Sequence, residues 1–415
     1  MRSNTTKLVT QNPISLIVIF VVCCVVCFSP FFANQSQMIP CFFVFLCFAS
    51  IMFSYRRWRN GVFFPFALFV LVDFFYQAIG ISVGIGNSIV RCAFFLVFFL
   101  FIFMKNNIKP KVLKRIFYLI FTIVFANVVS NIYYGIKYPL ASLMVISGAE
   151  FKGMNIGGTW FSITVLLFFD ICVLMAINLS KTFHRLLFLA GAIISFIYLV
   201  FYGMRGSVVL FMIISLFFLL FYRYTKISPI LRYLAVFIFA FCVFQFYLNE
   251  DALFNFLYDI TPESRLHNKI RSIQTAMKYG VDEDSFSNRW GLYMLSLHTW
   301  LDSLQSLLFG IGEDKTIVAK TGFTLGGGLK IGGHSEFLDA FAKWGLLGVS
   351  FIIWYIVLSF KYIYHQFQDR EIRKQVCVIL FTFFLCFTFK CVFYTDIALL
   401  VFLLLPLSAT IINKQ

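Results

Sequence analysis

Residues 158–178 read GTWFSITVLLFFDICVLMAIN. Asp170 is the one residue of a charged type in the stretch. As a helix it would be about 30 Å long, which is the thickness of a bilayer's hydrocarbon core. It does not alternate apolar with polar residues, as a barrel strand of about ten residues would. Runs of the same kind recur along the chain, so this reading decides the fold: an all-α, polytopic integral membrane protein.

The composition agrees. Of 415 residues, 61% are hydrophobic, 20% aromatic (58 are Phe) and only 13% charged. Soluble globular chains are about 45–50% apolar and about 25% charged. Soluble enzymes, disulfide scaffolds and disordered chains are excluded together, because there is too little polar surface to cover the rest. Twelve spans are expected, at about 13–33, 38–54, 62–83, 87–104, 116–134, 158–178, 186–203, 207–222, 233–249, 337–360, 376–394 and 396–412. The first is read as a retained helix, being too long for a signal-peptide core.

The net charge of +16 does not point to nucleic acid, because its distribution is topological. With the N-terminus inside and the spans alternating, the inner segments carry Arg56, Arg57 and Arg59, then Lys105 to Arg115, then Lys181 and Arg185. Arg223 to Arg232, Lys361 to Lys374 and the two termini complete the set, 20 of the 34 basic residues in all. That is the positive-inside pattern, with both termini cytoplasmic. It divides the chain into a membrane domain (1–249), a large external loop (250–336) and a second membrane domain (337–415).

The external loop, 87 residues with 8 Lys and Arg against 11 Asp and Glu, is the one long hydrophilic stretch. Within it, Trp290, Tyr293, Met294, Leu297, Trp300 and Leu301 begin an apolar stripe at helical spacing that runs on to Leu308. A helix over 289–309 is expected, started by Ser287 or Asn288 and ended by Gly310, lying on the outer leaflet or packed against the spans. A glycine-rich stretch from Gly322 to Gly333 follows, as lid or linker.

All 11 cysteines fall in apolar spans, where they act as small apolar filler. No metal-ligand pattern and no nucleotide-binding loop is present. The residues that invite chemistry are few. His334 precedes the expected N-cap Ser335, at the outer end of a membrane helix, where free N–H groups favour phosphate. Arg205 stands between two apolar runs at the outer face, and Gly206 and Ser207 would begin the next helix. Its competing reading is an arginine snorkelling to the interface. Arg289 opens the external helix. Arg91, Asp73 and Asp170 are ionisable residues inside spans, expected to pair structurally. Glu336 and Asp339 lie close to His334, but are expected to be turned by the helix to different directions.

The order of these motifs resembles a family. A GMRGS segment at 203–207, an external loop with Asn288-Arg289-Trp290, Gly310-Ile311-Gly312, then His334-Ser335-Glu336-Phe337-Leu338 leading to Gly345-Leu346-Leu347-Gly348, look like the O-antigen polymerase (Wzy) family, related to the O-antigen ligases. The resemblance covers about 200–350. It implies a GT-C-like membrane glycosyltransferase at the outer face of a bacterial inner membrane. Donor and acceptor would be glycans carried on undecaprenyl pyrophosphate. It implies His334, Arg205 and Arg289 as catalytic residues, with Glu336 and Asp339 secondary; Arg91, Arg205 and Arg289 would bind the substrate. It further implies chemistry without a metal or other cofactor, membrane lipid as surroundings, and a chain-length-regulating co-polymerase as partner. O-antigen ligase and a repeat-unit flippase are the competing functions. A flippase should show repeated halves, which the sequence lacks.

Overall fold

A computed structural model describes residues 61–78, 85–137, 159–203, 206–223, 286–312, 331–332, 335–390 and 392–413. Among these residues there are helices and no strand. The helices are α1 (Phe63–Ala78), α2 (Ile85–Asn107), α3 (Pro110–Lys137), α4 (Thr159–Asn178), α5 (Thr182–Ile197) and α6 (Gly206–Arg223). They continue with α7 (Phe286–Leu301), α8 (Leu304–Phe309), α9 (Glu336–Tyr364), α10 (Arg370–Phe389) and α11 (Thr395–Ile412). α5 runs on into a π turn, Tyr198–Gly203, and the middle of α11 is a π turn, Leu399–Leu404. Pro406 falls where that π turn hands back to α geometry, so its missing N–H breaks no regular ladder.

Six of these helices are long and apolar enough to cross a membrane, and α1 and α6 hold shorter apolar segments, Phe63–Tyr76 and Val208–Tyr222. The chain is thus an integral membrane protein. Every expected span from 62–83 to 207–222 and from 337–360 to 396–412 overlaps a helix, though the helix expected at 376–394 is shifted and ends at Phe389. The spans 13–33, 38–54 and 233–249 lie outside the described residues, as does the CxxC of the first span. Helix starts differ from the expected ones where a charged turn precedes the apolar run. α3 starts at Pro110, six residues early, because proline suits a first turn that needs no N–H. α10 starts at Arg370, capped by Asp369, which accepts from the N–H groups of Glu371 (2.6 Å) and Ile372 (3.1 Å).

α4 and α11 form the centre. Their most apolar windows are 89% and 94% buried, whereas α3, α5 and α9 each bury well under half of theirs. α4 packs on α5, α6 and α10; α11 packs on α2, α3 and α4; α9 packs on α1, α7, α8 and α10. The outward faces of the peripheral helices stay apolar, with Phe183, Leu71 and Val357 exposed, as suits helices that face lipid. Phenylalanine fills the interior. Phe66, Phe95, Phe98 and Phe402 surround Tyr355, whose hydroxyl donates to the carbonyl of Phe95 at 2.6 Å.

Polar bonds gather the helix ends in two layers. At one end Lys105 donates to Gln366, Asn413 to the carbonyl of Gln366 (2.7 Å), and Asn178 to Gln375 (2.6 Å). This is the basic end. At the other end Tyr76 donates to the carbonyl of Phe309, and the N–H of Glu336 to the carbonyl of Lys390 (3.1 Å). The described helices therefore alternate in direction as the charge pattern requires.

Candidate active site around a broken helix

α9 begins at a strong cap. Ser335 accepts from the N–H of Leu338 (3.1 Å) and donates its own hydroxyl to the carbonyl of Thr388 (2.5 Å). From there Glu336, Asp339 and Lys343 fall at i, i+3 and i+7, one face of a helix. Glu336, Asp339 and Lys343 are all buried, and the two carboxylates take different partners.

Opposite them stands an ion pair from α1 and α2. Arg91 Nη2 lies 2.9 Å from Asp73 Oδ1, and both side chains are 1% exposed. The Arg91 guanidinium also sits 5.0 Å from the ring centroid of Trp344, and the Lys343 ammonium lies 5.9 Å from the same ring. Glu336 feels the charges of Lys343, Asp339 and Arg91, and its Oε2 accepts from the N–H of Val392 (3.3 Å). Asp339 Oδ1 accepts from Ser296 Oγ of α7 (2.5 Å) and from the N–H of Gly332 (3.0 Å). Charges removed from water are costly unless paired and hydrogen-bonded. Here carboxylates and cations alternate around one buried spot, and each carboxylate accepts from a backbone or hydroxyl donor or from Arg91 Nη2.

The helix breaks just beyond. Gly345 has φ 60 and ψ −167, a conformation closed to other residues, so 336–344 forms a stub and 346–364 the helix proper. A Cβ on Gly345 would meet the carbonyl carbon of Leu308 at 2.4 Å. A Cβ on Gly310 (φ 73), which ends α8, would meet the carbonyl of Lys343 at 2.3 Å. Each glycine thus clears room for the other segment's backbone. Near the break, the carbonyls of Ala342 and Lys343 accept from the N–H groups of Ile311 and Gly312, both at 2.9 Å. The Gly310-Ile311-Gly312 and Gly345 motifs are the two halves of this joint. Gly348 serves the stub too, because a Cβ there would meet Trp344 Cβ at 2.3 Å.

The external helix differs from the expectation in two ways. It starts at Phe286, so neither Ser287 nor Asn288 caps it. It also divides at 302–303, because Ser303 makes a capping box with Ser306 and starts α8 afresh. Trp300 Nε1 bridges the break by donating to the carbonyl of Leu307 (3.0 Å), and its ring packs 4.4 Å from that of Phe341. Of the two placements, α7 and α8 take the second: both pack against α9. Gly332, near the end of the glycine-rich stretch, is tied to Ser296 and Asp339, with room for no Cβ against the carbonyl oxygen of Leu292 (2.4 Å).

His334 and Arg205 lie outside the described residues, as does the glycine-rich stretch except for 331–332. Their neighbours are described: Ser335 caps α9, and α6 begins at Gly206 as expected. Arg289 belongs to the first turn of α7, and its side chain lies outside the described set. Asp170 pairs structurally, accepting from Ser215 of α6 at 2.7 Å. Sequence reading passed over Lys343, Lys390 and Asp396, all buried; Asp396 accepts from Thr164 at 2.5 Å. The signal was present in each case, an ionisable residue within or beside an apolar run. Among the described residues no group of His, Cys, Asp and Glu is placed to hold a metal ion.

These features define a polytopic helical membrane protein with a buried charge cluster where the helix pair α7–α8 joins a broken span. Residues 190–353 match the family described as O-antigen ligase. The matched segment contains Arg205, Arg289, His334, Glu336 and Asp339, together with α7, α8 and the glycine joint. It supports the O-antigen ligase and polymerase superfamily and does not separate one activity from the other. No curated protein matches the chain.

Proposed function

We propose that the chain is a polysaccharide polymerase of a bacterial inner membrane. It transfers a growing glycan from undecaprenyl pyrophosphate onto an incoming lipid-linked repeat unit, O-antigen or capsule, at the outer face. Both termini are cytoplasmic in this reading, and the end bearing Glu336 faces the periplasm. The observation that carries the reading is the family match over 190–353, which spans the candidate residues Arg205, Arg289 and His334.

The reaction joins the acceptor's hydroxyl oxygen to the donor's anomeric carbon and breaks that carbon's bond to the pyrophosphate. Charge grows on the leaving oxygen, and Arg205 and Arg289 supply the fork-shaped donors that stabilise it. The proton of the hydroxyl passes to His334 as general base. No metal or other cofactor is invoked, since the arginines take the electrostatic role. Arg91, held by Asp73 and Trp344, acts as the counter-charge that keeps Glu336 and the α9 stub in place. Glu336 and Asp339 follow it in that supporting role. A co-polymerase that sets chain length is the expected partner.

The description of the matching family favours a second reading, an O-antigen ligase that moves the glycan onto lipid A core. A deletion strain separates the two by lipopolysaccharide banding. Loss of long chains with one repeat unit left on the core indicates the polymerase. Loss of every repeat unit from the core indicates the ligase, and unchanged banding of both O-antigen and capsule sinks both.

A further inference from the structure

The site above uses one end of α9. The other end holds a feature it does not explain. Between α9 and α10 runs a groove of about 390 Å³, within the ~300–1,000 Å³ of ligand pockets. Ile353, Val357 and Phe360 line it from α9, and Leu380, Phe381 and Phe384 from α10. Val357 and Phe381, each 56% exposed, open it toward the lipid.

Its polar groups stand at the basic end. Lys361 and Tyr364 complete the lining there. Arg373 lies 5.4 Å from the Tyr364 ring centroid, adding a second cation beside the mouth. Lys374 is engaged by Glu371 at 2.8 Å; Lys361 is exposed, and no ion pair with it is found among the described residues. From Ile353 to Tyr364 the helix rises about 16 Å, close to the roughly 15 Å hydrocarbon depth of one leaflet. The groove therefore matches a single acyl chain descending from the leaflet at the basic end. Basic pockets between spans on that side suit anionic head groups.

We propose that this groove binds one anionic phospholipid of the leaflet at the basic end, its acyl chain between Phe360 and Phe381 and its phosphate on Lys361. Zwitterionic lipid fills the same channel without the attraction of the lysine.

Native mass spectrometry of the full chain in detergent tests this, by titration with dioleoyl phosphatidylglycerol or dioleoyl phosphatidylcholine. One cation near the surface corresponds to about a fivefold preference for the anionic lipid. Lys361→Gln should erase that preference, and Lys361→Arg should keep it. Val357→Trp, which fills the channel from an exposed position, should remove the first adduct of both lipids. Cys377 also lines the groove, so phosphatidylglycerol should slow its alkylation by N-ethylmaleimide, read on the Cys377 peptide. Equal affinity for the two lipids in the unmodified chain, or an unchanged preference in Lys361→Gln, overturns the proposal. So does an unprotected Cys377. Displacement of the phosphatidylcholine adduct by undecaprenyl phosphate but not by phosphatidylglycerol gives the groove to a polyprenyl chain and overturns it as well.

Discussion

Gly310 and Gly345 lie back to back, each leaving out the Cβ that would collide with the other's neighbours: Lys343 at 2.3 Å and Leu308 at 2.4 Å. The contact fastens the helix pair α7–α8 to α9 through backbone alone. Such a joint has no slack for a methyl group. Gly345→Ala should destabilise the protein by at least about 2 kcal/mol, from backbone strain and overpacking together. Thermal unfolding of the purified protein in detergent reads this directly, and a melting curve like that of the unmodified chain would show that the joint yields.

The Asp73–Arg91 pair tests whether the buried cluster is a brace. Arg91→Met leaves Asp73 as an uncompensated buried charge, at a cost of about 3–5 kcal/mol. Adding Asp73→Leu to Arg91→Met removes that charge and should recover most of the loss. A double-mutant cycle on unfolding free energies is the measurement. Equal losses in the single and double variants would mean that Asp73 is balanced by something other than Arg91.

Arg205→Lys should be far from conservative under the proposed chemistry. An ammonium keeps the charge and loses the two parallel N–H bonds to pyrophosphate. A rate loss on the order of one hundredfold is expected, about 2.7 kcal/mol at 1.36 kcal/mol per decade. The assay is polymerisation in vitro with purified lipid-linked repeat units. A normal rate at normal expression would leave Arg205 as an anchor at the membrane interface.

His334→Ala should abolish chain growth, by about 10²–10⁴-fold, while the protein stays in the membrane. Asp339→Asn should act differently, because Asp339 is spent on Ser296 and Gly332. Weakening those charge-assisted bonds costs about 1–3 kcal/mol of stability and lowers the yield of folded protein more than its specific activity. A base must be neutral to accept a proton, so the rate should fall on the acid side of the histidine titration. A rate that rises on that side would instead make His334 a donor to the leaving group.

Much of the fold is legible in the sequence because lipid enforces a simple rule: a helix must be long, apolar and internally bonded. Runs such as 158–178 and 396–412 announce themselves, and basic loops order them. The site was less legible. Motif picks out His334, Arg205 and Arg289, whereas Lys343 and Asp396 sit in or beside apolar runs without a pattern to mark them. Asp73 and Arg91 stand 18 positions apart, and only the packing of α1 on α2 makes them a pair. The break at Gly345 was hidden for a physical reason. Glycine is common in membrane helices, so one more inside an apolar run carries no sign of positive φ. Its meaning resides in Gly310, 35 positions earlier, and no local pattern links the two.

The break also sets a depth. Residues 346–364 form about 28 Å of helix, nearly a whole hydrocarbon slab on their own. The nine residues of the stub at 336–344 are therefore not needed to span that slab. They are at liberty to carry Glu336, Asp339 and Lys343, which they keep inside the protein, 0–2% exposed. Under the proposed function, a reacting group would have to reach this enclosed cluster from one end of the bilayer and not from its middle.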